Sequence, residues 1–151
     1  VANISSARSS SNAFHDVCYC GAKNLIEKTQ PENFKTDWVS NEPCACFSTW
    51  VEKYPWWSGK LEYTYKVTKI ELLARNTNID YLSGANITID GLHCGTVGNF
   101  VEGKWITVNC LSDGITGNRI QINARGHSFY GHIYAWNRLE FCGIKVYGLL
   151  D

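Results

Sequence analysis

The stretch that most constrains the fold is 53–76, KYPWWSGKLEYTYKVTKIELLARN. It begins with a proline and two adjacent tryptophans, and its second half is rich in the aromatic and β-branched residues that favour strands. Because side chains alternate across a strand, one indole of Trp56-Trp57 is expected to face a core and the other to face away from it. The segment is therefore predicted to be a buried strand that ends at Arg75, on the rim of a sheet.

The composition predicts one domain over residues 1–151. A chain of this length can bury roughly two thirds of its unfolded surface. Its 14 basic and 14 acidic residues cancel, so no net field would hold nucleic acid or an anionic membrane. No apolar run approaches the length of about 18 residues that spans a bilayer. We therefore expect neither a nucleic acid partner nor membrane insertion.

Seven cysteines indicate an oxidising, extracellular compartment. The sequons at Asn3 and Asn86 agree with a secreted glycoprotein. The odd count leaves at least one thiol unpaired or bonded to another chain, which would allow a disulfide-linked homo-oligomer. The CYC and CAC pairs could instead bind zinc, but cysteines of structural zinc sites are usually about two to four residues apart, so no metal is predicted there.

The remaining chain shows short strand patterns separated by turn signals. Alternating apolar residues precede Asp90-Gly91, and further strands are predicted over 105–108, 120–124 and 139–147. Residues 22–28 fit a short helix within an irregular, cysteine-rich connection, and 1–14 fit an extended arm laid on the domain. Together these patterns predict an all-β sandwich of antiparallel strands.

The order of the motifs resembles the F-type lectins, the fucose-binding fucolectins within the discoidin-like, galactose-binding jelly-roll superfamily. The resemblance rests on CAC at 44–46, PWW at 55–57, the strand ending at Arg75, LSGANITI at 82–89 and LEFCGIKV at 139–146. It covers about residues 22–148. It implies a jelly-roll β-sandwich and a secreted carbohydrate-binding function.

The resemblance also implies a disulfide frame, with bridges Cys46–Cys142 and Cys94–Cys110. In the chain-entropy model, closing a loop of about 15 residues is worth roughly 3 kcal/mol and one of about 100 residues roughly 4.7 kcal/mol. The longer bridge would tie the opening loop to the final strand. One of the first two remaining cysteines could bond the third, and these three are Cys18, Cys20 and Cys44.

In F-type lectins, a histidine shortly after the first bridge cysteine and two arginines after the PWW strand bind fucose. Arg75 matches the first arginine, whereas Ser48 occupies the histidine position and the second arginine falls near Tyr81. One guanidinium can still donate to two hydroxyls. The resemblance therefore implies an altered sugar site, whose candidate residues are Arg75, Tyr81, Ser48, Trp50, Asn76 and Asp80.

F-type lectins also hold calcium in the loop after the short helix, with a glutamate directly after the last bridge cysteine. Here that loop is IEKTQ at 26–30, and Gly143 follows Cys142. Calcium takes about six to eight oxygen ligands, and Glu27 and Glu32 supply few. We predict no tightly bound calcium and no other cofactor.

The segment 124–138, ARGHSFYGHIYAWNR, is a second candidate surface. It places aromatic rings between two arginines, which suits a sugar's apolar face or a partner protein, although such rings also occur as ordinary buried strand residues. Its candidate residues are His127, Tyr130, His132 and Trp136.

No HExxH, GxSxG or glycine-rich phosphate loop occurs, so the chain is not predicted to be an enzyme. Two functions remain. One is a secreted lectin-like module that binds a glycan or glycoprotein, displayed in oligomers for avidity. The other is an extracellular module for protein assembly that has lost sugar binding.

Overall fold

The structure, a computed structural model, describes residues 1–15, 18–26, 46–75, 80–111, 113–125 and 137–151. Within these ranges the chain forms eleven β-strands and a single 3-10 helix, Ala22–Leu25. The strands are β1 (Ile4–Ser9), β2 (Ala13–His15), β3 (Cys18–Cys20), β4 (Phe47–Ser48), β5 (Trp56–Leu73), β6 (Asn86–Ile89), β7 (Leu92–Thr96), β8 (Trp105–Asn109), β9 (Ile115–Asn123), β10 (Glu140–Phe141) and β11 (Gly143–Leu150).

β5 organises the sheets because it pairs along its whole length. Up to Leu61 it runs between β1 and β9, and from Tyr65 onward its main partners are β11 and β8. β6 and β7 extend the sheet beyond β9, β10 pairs with β4, and every ladder is antiparallel. The architecture is the predicted all-β, antiparallel sandwich, with very little helix.

The core lies against the buried face of β5, and its alternation follows the sequence pattern. Trp57 is fully buried and Trp56 is half-buried, as predicted for adjacent residues of a strand. The indole N–H of Trp57 donates to the carbonyl of Ala22 at 3.2 Å, which fixes the 3-10 helix against the sheet. The Trp57 ring meets Phe141 edge to face, with centroids 5.7 Å apart.

Both disulfides implied by the resemblance are formed. Cys46–Cys142 ties the residue before β4 to the residue between β10 and β11, and Cys94–Cys110 ties β7 to the end of β8. The predicted bridge from Cys44 to Cys18 or Cys20 stays a prediction, because Cys44 lies outside the described residues.

The amino-terminal segment, predicted as a surface arm, is a sheet strand. β1 pairs with the first part of β5, and Ala7 is buried while Ser5, Ser6 and Arg8 are exposed. A register shift between Ile4 and Ser6 breaks the period-two alternation. That irregularity, together with the polar composition, hides the strand from a pattern-based prediction.

The closing segment, predicted as one strand, forms two. β10 pairs with β4, whereas β11 pairs with the second part of β5, so the chain changes partner at Cys142. The turn signal at Asp90-Gly91 forms the tight turn between β6 and β7, and both residues have the positive φ of a type I′ turn, 47° and 84°. No helix in the described part of the chain is long and apolar enough to cross a membrane.

Candidate functional site

The site is built on the short ladder between β4 and β10. Phe47 lies opposite Phe141, and Ser48 lies opposite Glu140. The phenylalanines meet edge to face in the core, with centroids 5.5 Å apart. Because neighbouring side chains on a strand point to opposite faces, Ser48 and Glu140 share the other face. Arg75, which follows the end of β5, contacts Glu140 on this face.

Arg75 forms an ion pair with Glu140 across this face. Its Nη1 lies 2.7 Å from one carboxylate oxygen and 3.3 Å from the other. The Glu140 side chain is only 2% exposed, whereas the Arg75 side chain is 18% exposed. The carboxylate is therefore beneath the surface, and the Arg75 side chain that it orients is partly exposed.

The Glu140 carboxyl has a perturbed pKa. Burial raises its pKa from 4.5 to about 7, against the opposing effects of the Arg75 and Arg138 charges and of the Ser48 side chain. Ser48 is itself fully buried, and its hydroxyl donates to the carbonyl of Thr49 at 3.0 Å. The Ser48 hydroxyl is therefore not presented to solvent.

Arg138 and Tyr81 form the outer part of the cluster. The guanidinium carbon of Arg138 lies 5.7 Å from the centroid of the Tyr81 ring, within the range of a cation–π contact. The Tyr81 carbonyl accepts a hydrogen bond from the Glu140 N–H at 3.3 Å, which docks the loop of Tyr81 onto β10. We call Ser48, Arg75, Tyr81, Arg138 and Glu140 the Arg75 cluster.

Asp80 shapes the loop that carries Tyr81. Its Oδ1 accepts hydrogen bonds from the N–H groups of Leu82 and Ser83, both at 2.9 Å. Burial acts to raise the pKa of Asp80, but the hydrogen bonds from Ser83 and Leu82 and the charge of Arg125 outweigh it and lower the pKa. Asp80 is thus an ionised turn residue that fixes the conformation of the loop.

A second backbone pairing continues beyond the β4–β10 ladder. Glu52 and Asn137 exchange backbone hydrogen bonds at 2.8 and 2.9 Å, and the Asn137 amide donates to the carbonyl of Arg125 at 3.0 Å. Between Ser48 and Glu52, Trp50 is 49% exposed, and its N–H donates to the Ser11 hydroxyl at 3.0 Å. An accessible indole therefore follows the ladder on which the cluster is built.

The structure brings together several of the residues that the sequence singles out. Ser48, Arg75 and Tyr81 lie in one cluster, Asp80 supports it, and Trp50 lies two residues along the chain from Ser48. The other candidates lie outside the described residues, and they are Asn76, His127, Tyr130, His132 and Trp136.

Sequence reasoning missed Glu140 and Arg138 as members of the site. The available signal was a single carboxylate between Leu139 and Phe141, in a strand pattern that is otherwise apolar. A charged residue in such a position is rarely buried without a partner. That signal could have prompted a search for a facing arginine.

The calcium prediction falls on 26–30 and Glu32, which lie almost entirely outside the described residues, so it stays a prediction. Elsewhere, in the parts of the chain that the structure describes, no three His, Cys, Asp or Glu side chains converge as a metal site.

No protein-family model matches this sequence, and no curated protein matches it. Solved structures do resemble it. A fucolectin from striped bass (Morone saxatilis) serum superposes with a TM-score of 0.70 and 21% identity, over 96% of this chain and 46% of the lectin chain. This chain thus spans slightly less than half of the bass lectin.

Two bacterial modules are similar over nearly their full length. A Streptococcus pneumoniae fucose-binding module gives a TM-score of 0.68 at 18% identity, covering 97% of this chain and 95% of the module. The family 32 carbohydrate-binding module of Clostridium perfringens NanJ, in complex with galactose, gives 0.63 at 16% identity, covering 93% and 91%.

These likenesses show that the chain has a divergent fucolectin-like, that is F-type-lectin-like, β-sandwich fold. The resemblance inferred from the PWW strand and the terminal cysteine strand is confirmed at the level of the fold.

Proposed function

We propose that the chain is an extracellular lectin-like module that binds a saccharide at the Arg75 cluster. The observation that carries the proposal is the convergence of Arg75 and Arg138 around one buried carboxylate, Glu140, beside the ring of Tyr81. Similar structures are described as fucose-binding modules, as a domain complexed with Lewis b, and as a module in complex with galactose. Those descriptions support a glycan as the ligand.

The chemistry of the cluster suits a polyhydroxylated ligand. A guanidinium is a planar fork of donors that can bond two neighbouring oxygens at once. The contact with Glu140 sets the orientation of the Arg75 guanidinium. The exposed ring of Trp50 offers a flat surface for the apolar face of a sugar.

Two further parts of the proposal concern setting and cofactors. The disulfides Cys46–Cys142 and Cys94–Cys110 support an oxidising, extracellular location. The exposed Asn3 is the more accessible of the two sequons, since Asn86 is half-buried.

We further propose that binding needs no calcium, because the loop at 26–30 has few carboxylates. It follows that a chelator should leave glycan binding unchanged.

A glycan array probed with the protein in multivalent form tests the function. The wild-type protein is expected to bind a subset of the array, and Arg75→Lys to lose that binding, because lysine keeps the charge but not the fork. Arg8→Lys is the matched control, since Arg8 is an exposed arginine of β1.

Failure of the folded wild-type protein to bind any glycan would overturn the proposal. That result would favour the alternative of an assembly module. Equal binding by wild type and Arg75→Lys would reject this site while leaving a sugar-binding function elsewhere on the chain.

A further inference from the structure

Arg138 carries a buried donor that the described structure does not satisfy. Its Nε is inaccessible to solvent and has no hydrogen-bond partner among the described residues. A buried donor without an acceptor is unfavourable, and in native proteins such groups usually have a functional or solvent explanation. The residue as a whole is half-buried.

The backbone of Arg138 is fixed on both sides. Its N–H donates to the side-chain oxygen of Asn137 at 2.8 Å. The next residue, Leu139, is fully buried, and its N–H and carbonyl bond the Thr49 hydroxyl and N–H, both at 3.0 Å. Because Leu139 points into the core, Arg138 is directed to the opposite face, where Tyr81 lies. The backbone that carries Arg138 is therefore fixed before any ligand arrives, and the guanidinium lies over the Tyr81 ring.

Arg138 also acts on the same carboxyl as Arg75. Its charge opposes the rise in the pKa of Glu140, as the charge of Arg75 does. The direct ion pair, however, belongs to Arg75, at 2.7 Å. Arg138 therefore acts on the carboxylate through its charge, and its guanidinium carbon lies 5.7 Å from the centroid of the Tyr81 ring.

We propose that Arg138 is a second ligand-binding guanidinium, positioned by Tyr81, and that it acts with Arg75 on adjacent acceptor oxygens of one saccharide. This inference rests on the proposed function. In this arrangement Arg138 comes from the segment before β10, and Tyr81, in the loop between β5 and β6, supplies the ring against which it packs. Tyr81 is then a positioning residue, and its ring matters more than its hydroxyl.

Four variants test the proposal, with binding to immobilised L-fucose and D-galactose conjugates as the assay. Arg138→Lys keeps the positive charge but loses Nε and the fork, and is expected to weaken binding by about tenfold or more, since hydrogen bonds to charged groups are among the stronger ones. Tyr81→Phe keeps the ring and should bind within about twofold of wild type, whereas Tyr81→Leu should weaken binding. Arg8→Lys is the matched control and should not change it.

The thermal midpoint separates a ligand contact from a merely structural role. Arg138→Lys is expected to melt close to wild type while losing affinity, and a parallel loss of both would contradict the proposal. If wild type binds, Arg75→Lys fails to bind and Arg138→Lys binds as wild type does, this inference fails alone. If wild type binds neither conjugate, the assay is repeated with a glycan that wild type binds on the array, and failure to bind any glycan there overturns both this inference and the proposed function.

Discussion

Glu140 gives a sharp test of the site's electrostatics through pH. Burial raises the pKa of its carboxyl from 4.5 to about 7, so the folded protein holds this proton more tightly than the unfolded chain does. The associated stability is present in full below about pH 4.5 and is lost as the pH rises through about 7. At about 1.4 kcal/mol per pKa unit, the shift corresponds to about 3 kcal/mol.

Glu140→Gln removes this dependence with little change in shape. Glutamine cannot ionise, yet its amide oxygen can still accept a hydrogen bond from Arg75. Urea unfolding of wild type and variant across pH 4.5 to 8 gives both free energies of unfolding. Between the two ends of that range, wild type is expected to lose about 3 kcal/mol relative to the variant. The histidines contribute equally to the pH dependence of both proteins, so their contribution cancels when the free energy of unfolding of the variant is subtracted from that of wild type.

Glu62→Gln is the control, because Glu62 is exposed on β5. The difference in free energy of unfolding between wild type and this variant should not change with pH. A difference that does not change with pH for Glu140→Gln as well would refute the raised pKa. A wild-type stability that rises with pH relative to the variant would refute the sign, and would mean that the ion pair with Arg75 outweighs burial.

Three further predictions concern stability, each measured by urea unfolding. Replacing both Cys94 and Cys110 by alanine should lower the free energy of unfolding by about 3 kcal/mol, as expected for a closed loop of about 15 residues; no loss would mean that the bridge does not constrain the unfolded chain. Gly114→Ala should lower the free energy of unfolding by about 1 kcal/mol or more. Gly114 has φ +105°, and an added Cβ would lie 2.6 Å from the Val67 carbonyl oxygen. Gly98→Ala is the control and should be close to neutral, because an added Cβ there would meet nothing within 4 Å. Trp57→Phe should lower stability by about 1–3 kcal/mol, because it leaves a void and unpairs the Ala22 carbonyl, and an unchanged stability would contradict the anchoring role of that indole.

The elements that the sequence predicts well are those whose signal is local. β5 has a long run of aromatic and β-branched residues, and its adjacent tryptophans divide between core and surface as period two requires. The hairpin at Asp90-Gly91 is encoded in the dipeptide itself.

The elements that it misses depend on distant pairing. β4 and β10 are two residues long, and no periodicity can be measured over such a length. Their ladder brings Ser48 opposite Glu140, so the carboxyl becomes a site residue only through contacts far apart in the chain. For the same reason Arg138 looked like the flank of an aromatic segment rather than a neighbour of Tyr81.

The most direct test of the central claim observes the arginine side chains themselves. In ¹H–¹⁵N spectra of the Arg Nε–H groups, titration with L-fucose or D-galactose should shift the signals of Arg75 and Arg138 and leave those of Arg8 and Arg119 in place. Shifts confined to other residues, or none at saturating sugar, would contradict the assignment of the Arg75 cluster as the saccharide site.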